Sequence, residues 1–421
     1  MLGLAVGALA LAAVDRARAE AQLLIEASTG KVLHAENATY PWYPASVTKL
    51  MTAYTTLRAV KEGRLSLNTL LPISRNAAAQ QPTKMGFKVG ATVTVDNALK
   101  MLMVKSANDI AVAIAEGVGG SIAGFSDLMN ANARRLGMSQ SNFVNPNGLP
   151  AENHISSARD LGILARALIR EFPEYDSYWH ISSIRYGSRV MRNYNSLIYR
   201  YPGADGMKTG FICASGYNVV ASATRNGRRL IAVILGSWSG AVRAQKAAQL
   251  LERGFNSGGL SWLTPSLGTV DALAPIDAQP PNLREEMCGG HRRKPPSEEN
   301  EEEPDESTTA ASSGSENGQA FMLSSLKPAN GKFVLGPPVE TTPPVVVFTG
   351  PADRPDPISQ TASAAPKNKK KTAAKKEGAE KPAKGAVSEK PAKTDNAKSA
   401  KTAKTAKPAK QSKPKVTSST Q

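Results

Sequence analysis

The chain has 421 residues, 41% of them hydrophobic, and a formal net charge of +17 at pH 7. That length can bury a sizeable core and form one or two domains. The charge is localised, because residues 367–421 carry 17 lysines against four acids and leave only +4 for the rest. The basicity therefore belongs to a tail, which implies no nucleic-acid-binding face, and two cysteines are too few for a disulfide framework.

Residues 1–19 read as a secretory signal. Leu2 to Val14 form an apolar run, Ala17-Arg18-Ala19 offers a small-x-small cleavage site with Ala19-Glu20-Ala21 as a second, and no Lys or Arg precedes the run. No other run is long enough to span a bilayer, so the mature chain is expected to be exported without a transmembrane helix. Ala21 to Ala35 predicts a hairpin across the turn Ser28-Thr29-Gly30. A helix is predicted from Ser46 to about Glu62, stopped by Gly63, and residues 64–90 lack a clear period. Gly90 to Val95 reads as a short strand, with Asp96 as N-cap of a helix from Ala98 to Val104. A break at Lys105 to Asn108 follows, then helices Asp109–Glu116 and Phe125–Leu136. Asn145-Pro146-Asn147-Gly148-Leu149-Pro150 is a turn, and Ser156 to Arg170 is a helix capped by Ser156 or Ser157. Met207–Thr224 and Arg229–Gly236 are β-rich and joined by Asn226-Gly227, a hairpin signal; Val242 to Phe255 closes as a helix. Strands at both sequence ends enclosing a helical middle predict an α+β domain over 20–258, with one antiparallel sheet and helices packed on it.

Beyond about Gly259 the folded pattern fades. Residues 259–366 read as a low-complexity linker and 367–421 as a Lys/Ala/Pro-rich tail, both too poor in apolar residues to offset chain entropy. Cys213 reads as a small buried hydrophobe, in preference to a Cys213–Cys288 bridge.

Three short motifs carry chemistry. Ser46-Val47-Thr48-Lys49 places an amine one helical turn from a hydroxyl, and a serine needs an adjacent base to act as a nucleophile. Ser28/Lys31, Ser324/Lys327 and Ser412/Lys415 share that spacing, but only Ser46/Lys49 has an apolar helical context. Ser106-Ala107-Asn108 sits at a helix break, where Ser and Asn also serve as ordinary caps; Ser66/Asn68 and Ser74/Asn76 repeat its spacing. Lys208-Thr209-Gly210 opens a strand whose edge suits a substrate carboxylate, with Gly210 leaving room for substrate backbone; a solvated edge lysine would look the same. Lys49 is a candidate base if burial or a neighbouring cation, such as Lys208, disfavours its protonated form.

In that order and context, the three motifs resemble those of the low-molecular-mass penicillin-binding proteins, the serine-type D-alanyl-D-alanine carboxypeptidases of peptidase family S11. The similarity extends over about residues 22–256 and includes Ala27 to Leu33, Pro44 to Lys49, Asn145 to Leu149, His154 with Asp160, Asp205 to Gly210, and Leu230 to Gly236. The resemblance implies a β-lactamase/transpeptidase-like fold, with a sheet flanked by helices and an all-helical subdomain carrying the cleft. It implies a penicillin-sensitive hydrolase that removes the terminal D-alanine of a peptidoglycan stem pentapeptide. Ser46 would form the acyl-enzyme, Lys49 accept its proton, and Ser106 relay a proton to the leaving D-alanine. Asn108 would orient the substrate and Lys49. Lys208, Thr209, Gly210 and Arg243 would bind the substrate, and the backbone N–H groups of Ser46 and Phe211 would form the oxyanion hole. No metal or other cofactor is called for. The expected partners are the stem peptide and β-lactams, and the tail is expected to meet anionic cell-wall or lipid surfaces by charge. Ala107 departs from the family's glycine. The family's C-terminal β-rich domain and amphipathic anchor are not evident, since 257–290 is too short for the one and the tail lacks an apolar face for the other.

A serine β-lactamase would share the motifs, but no glutamate-x-x-x-asparagine stretch follows; Glu171 and Glu174 lack the matching Asn. A D,D-endopeptidase on peptide crosslinks and a non-catalytic peptidoglycan binder would share them too. His34, His154, His180 and His291 lack a hydrolase pattern, and no metal-ligand spacing occurs.

Overall fold

The computed structural model describes residues 20–257, 266–290, 335–339 and 342–354. The expected signal segment, residues 1–19, and the basic tail, residues 367–421, lie outside the described residues. In chain order the elements are β1 (Ala21–Glu26), β2 (Val32–Glu36), α1 (Lys49–Lys61), β3 (Leu70–Pro72), α2 (Arg75–Ala78), β4 (Thr92–Thr94), α3 (Val95–Val104), α4 (Asn108–Gly119), α5 (Ile122–Arg135), α6 (Ala158–Glu171), α7 (Ser177–His180), β5 (Ser183–Tyr186), β6 (Arg189–Arg192) and α8 (Leu197–Arg200). Then come β7 (Ala204–Ile212), β8 (Gly216–Arg225), β9 (Arg228–Ser237), α9 (Gly240–Asn256), α10 (Arg284–Cys288) and β10 (Val345–Val346).

The main sheet is antiparallel throughout, in the order β2-β1-β9-β8-β7. Its inner strands alternate between two cores. Leu23, Ile25, Val220, Ile231 and Val233 face the helical side, whereas Leu24, Val219, Ala221, Leu230 and Ala232 face α9. Successive side chains of a strand point to opposite faces, so burial on both faces replaces the polar–apolar alternation of a half-exposed sheet. Asn226 and Gly227, at φ +50° and +73°, turn β8 into β9 with the doubly left-handed geometry that Asn-Gly favours.

The helical side is built around α4, whose residues Ile110 to Ala115 are fully buried. Side-chain caps start the flanking helices: Thr94 accepts from Asn97 N, Ser121 from Gly124 N, Ser157 from Asp160 N and Ser239 from Val242 N. Each satisfies a first-turn N–H. Thr94 therefore takes the capping place expected of Asp96, which instead accepts bonds from Lys100 and Tyr178. Among the described residues no single helix is long and apolar enough to cross a membrane.

Two findings differ from the sequence reading. Cys213 and Cys288 are joined in a disulfide, so Cys213 is not merely a small apolar side chain. Parts of the expected 259–366 linker also pack on the domain. Lys31 pairs with Thr269, Val270 and Val347 are fully buried, and β10 runs parallel to β5. Backbone pairing and one covalent tie dock these short pieces, and composition averaged over 108 residues does not register either. The bridge joins residues 75 positions apart, and Leu283 N donates to Ala214 O at 3.0 Å beside it. Reducing it should free α10, so that trypsin cuts after Arg284 several-fold faster while far-UV circular dichroism stays the same. Equal cleavage with and without reductant, followed by mass spectrometry, would show that the bridge does not hold this segment.

Candidate active site

Ser46 lies in a tight turn, Ala45–Thr48, directly before α1. Ala45 has φ +49°, an uncommon conformation for a residue with a side chain. The three-residue spacing survives this departure from a regular helix start: Lys49 Nζ donates to Ser46 Oγ at 2.9 Å. Lys49 is fully buried and also donates to Asn108 Oδ1 at 2.8 Å and to Asn147 O at 2.7 Å. The amine thus joins three segments that are far apart in the chain.

The second segment is the break between α3 and α4. Ser106 holds φ +57°, which ends one helix and lets the next begin at Asn108. Loop 80–83 braces this break: Thr83 Oγ1 donates to Ser106 O, Asn108 N to Thr83 O, and Asn108 Nδ2 to Gln81 O. Ser106 Oγ is buried and has no hydrogen-bond partner among the described residues. The third segment is the turn 145–150, where Asn145 Oδ1 accepts from Gly148 N and Thr52 Oγ1 donates to Pro146 O.

The Lys208-Thr209-Gly210 motif lies on β7, the edge strand of the sheet. Lys208 is buried and its Nζ donates to Thr209 O at 3.0 Å. Thr209 Oγ1 is buried and, like Ser106 Oγ, unpartnered among the described residues. Buried hydroxyls are rarely left in that state; Ser106 is two residues before Asn108, which accepts from Lys49, and Thr209 precedes Gly210, which packs on Ser46. Arg243 falls within the first turn of α9 and donates to Asn218 O at 3.2 Å; Asn218 is the register partner of Gly210.

Gly210 corrects the sequence reading. A Cβ there would sit 2.7 Å from Ser46 N and 2.9 Å from Val47 N. The space left by the missing side chain is filled by the backbone of Ser46 and Val47 rather than by room for a substrate. Asn218, unremarked in the sequence, serves the same contact. It donates from Nδ2 to Tyr43 O and Pro44 O and accepts from Gly236 N. An Asn beside the apolar run Val219-Val220-Ala221 was its one visible signal; the structure buries it fully.

Ser46, Asn108 and Phe211 line a cleft of about 430 Å³. Lys49, Ser106, Lys208, Thr209 and Arg243 are buried and are not among its lining residues. None of the twelve lining residues carries a carboxylate. Glu171 is held elsewhere, by Tyr54 Oη and Arg135. Among the described residues no cluster of His, Cys, Asp or Glu is placed to hold a metal.

His154 supports the site from behind. Its Nδ1 accepts from Val144 N at 3.0 Å, so Nε2 carries the proton and donates to Thr48 Oγ1 at 2.8 Å. Burial, with a smaller contribution from Lys49, pulls its pKa down to about 4, against about 6.5 in an unfolded chain.

Residues 9–239 match the family model for D-alanyl-D-alanine carboxypeptidase. The chain is 35% identical over 244 residues to D-alanyl-D-alanine carboxypeptidase DacC of Escherichia coli, covering 56% of this chain and 61% of that protein. It therefore spans less than two thirds of that curated relative's length. Among solved structures, it is similar to D-alanyl-D-alanine carboxypeptidase DacD of Francisella tularensis, with a TM-score of 0.55, 32% identity, and coverage of 56% of this chain and 70% of that one. Penicillin-binding protein D2 of Listeria monocytogenes, solved in a cefotaxime-bound form, has a TM-score of 0.52 and 29% identity, covering 56% of this chain and 96% of that one.

Two measurements check this arrangement. Gly210→Ala should lower stability by about 2 kcal/mol in urea unfolding, because the backbone at Ser46 and Val47 must move to admit a Cβ; unchanged stability would show that the turn tolerates the shift. As pH falls from 6.5 to about 4, the unfolded chain takes up a proton at residue 154 that the folded chain refuses, so folding stability is lost over that window. The loss should be about 3 kcal/mol larger in the wild type than in His154→Gln, measured by urea unfolding at pH 7 and pH 4.

Proposed function

The chain belongs to the D-alanyl-D-alanine carboxypeptidase family, and from that premise we propose that it is a serine hydrolase that removes the terminal D-alanine from peptidoglycan stem pentapeptides. The observation that carries this is the buried Lys49 amine bonded to the Ser46 hydroxyl at the wall of the cleft. Ser46 Oγ attacks the carbonyl between the last two D-alanines as its proton passes to Lys49 Nζ. The backbone N–H groups of Ser46 and Phe211 stabilise the resulting oxyanion. The C–N bond breaks, the departing amine receives a proton through the Ser106 hydroxyl, and D-alanine leaves. Lys49 then activates a water, which hydrolyses the ester and restores Ser46 with the shortened peptide. Asn108 orients both Lys49 and the substrate. Lys208, Thr209 and Arg243 hold the terminal carboxylate, and Thr209 Oγ1 has hydrogen-bonding capacity free for it.

A β-lactam, presenting a strained amide and a carboxylate in the same spacing, acylates Ser46 by the first half of this sequence; the Listeria neighbour is a cefotaxime-bound protein. Among the described residues no carboxylate lines the cleft to position a water for rapid release, so the adduct persists, which separates this reading from a β-lactamase. The Cys213–Cys288 bridge fits an exported chain working in an oxidising compartment.

Digested muropeptides analysed by mass spectrometry should lose one alanine; conversion of dimers to monomers would point to an endopeptidase instead. Fluorescent penicillin should label the wild type and not Ser46→Ala. An unlabelled wild type would exclude the enzyme reading altogether.

A further inference from the structure

Arg284 is the one charged side chain among the twelve residues lining the cleft. It is exposed, and among the described residues its guanidinium has no hydrogen bond or ion pair, although Glu285 and Glu286 are its chain neighbours. Its backbone is firmly placed. Arg284 N donates to Asn282 Oδ1 at 3.1 Å, Leu283 N to Ala214 O at 3.0 Å, and Met287 N to Leu283 O at 2.8 Å. Met287 is 2% exposed, and Cys288 is bonded to Cys213 on the same rim.

The cleft wall it shares with the end of β7 defines what it can meet. Ser46 packs at Gly210, with Lys208 and Thr209 on one side of that point. Phe211, Ile212, Cys213 and Ala214 lie on the other side and line the cleft with Arg284. A peptide lying along this edge with its terminal carboxylate at Lys208 and Thr209 runs its acyl-donor half toward residues 211–214. β7 ends at Ile212, two residues or about 7 Å past Gly210, and the turn at Cys213 and Ala214 carries the wall on toward Arg284, within the reach of the side chain of the residue preceding D-Ala-D-Ala.

We propose that Arg284 is a specificity-determining residue that binds a carboxylate on the side chain of the residue preceding D-Ala-D-Ala, so that the site prefers stem peptides whose diamino acid bears a second carboxylate. The inference rests on the proposed peptidase reading. A planar guanidinium accepts a carboxylate through two parallel N–H bonds, and a carboxylate there meets no opposing acid on the cleft wall.

The test compares N-acetyl-diaminopimelyl-D-Ala-D-Ala with N-acetyl-lysyl-D-Ala-D-Ala, which differ by one side-chain carboxylate, with rates normalised to sites titrated by benzylpenicillin. The wild type should favour the first peptide about tenfold in kcat/KM, chiefly through KM. Arg284→Gln should erase the preference and Arg284→Lys should keep part of it. Equal turnover of both peptides by the wild type, or an undiminished preference in Arg284→Gln, would overturn the role of Arg284 and leave the peptidase reading standing. Failure of benzylpenicillin to titrate any site, with neither peptide cleaved, would overturn that reading and this one with it.

Discussion

A lysine amine removed from water must find oxygen partners, and this requirement organises the molecule. A buried polar group without a hydrogen bond costs more than the bond itself contributes. Lys49 is supplied by Ser46, Asn108 and Asn147, and the latter two come from segments 59 and 98 residues away. Bringing them in fixes the break between α3 and α4 and the turn at 145–150. Those in turn are held by Thr83, Gln81, Thr52 and Asn145. Ser46, the proposed nucleophile, is therefore positioned by the same bonds that satisfy the core.

Much of this was legible in the chain because the signals are local. A hydroxyl and an amine three residues apart stay neighbours whether the backbone forms a regular helix or the tighter turn seen at Ala45–Thr48. Asn-Gly between two β-branched runs marks the β8–β9 turn by its conformational preference alone. The helix break at Ser106 announced itself by polar residues interrupting an apolar run. Lys208-Thr209-Gly210 was readable as a strand, and its place on the open edge of the sheet agrees with that reading.

What was not legible depends on contacts across the chain. Gly210 was read as space for a ligand; the space belongs to Ser46 and Val47, which no pattern around residue 210 reveals. His154 was set aside in the sequence for lack of a hydrolase pattern, yet its ring holds Thr48 on one side and the Val144 amide on the other. Asn147 contributes through its backbone carbonyl, which every residue possesses. Cys213 and Cys288 were weighed by count and context, but only proximity decides whether two thiols pair.

The sheet order carries a further consequence for how the chain becomes a protein. β1, the first described strand, lies between β2 and β9 and pairs with β9 from Ala21↔Leu235 to Glu26↔Leu230. Such distant pairing must pay loop-closure entropy before any contact rewards it, so acquisition of the native topology is slow. The central β1–β9 seam cannot close until more than two hundred residues have followed the first strand out of the ribosome. Until then the side of β1 that β9 covers stays open, so the order of synthesis delays the seam on which both cores rest.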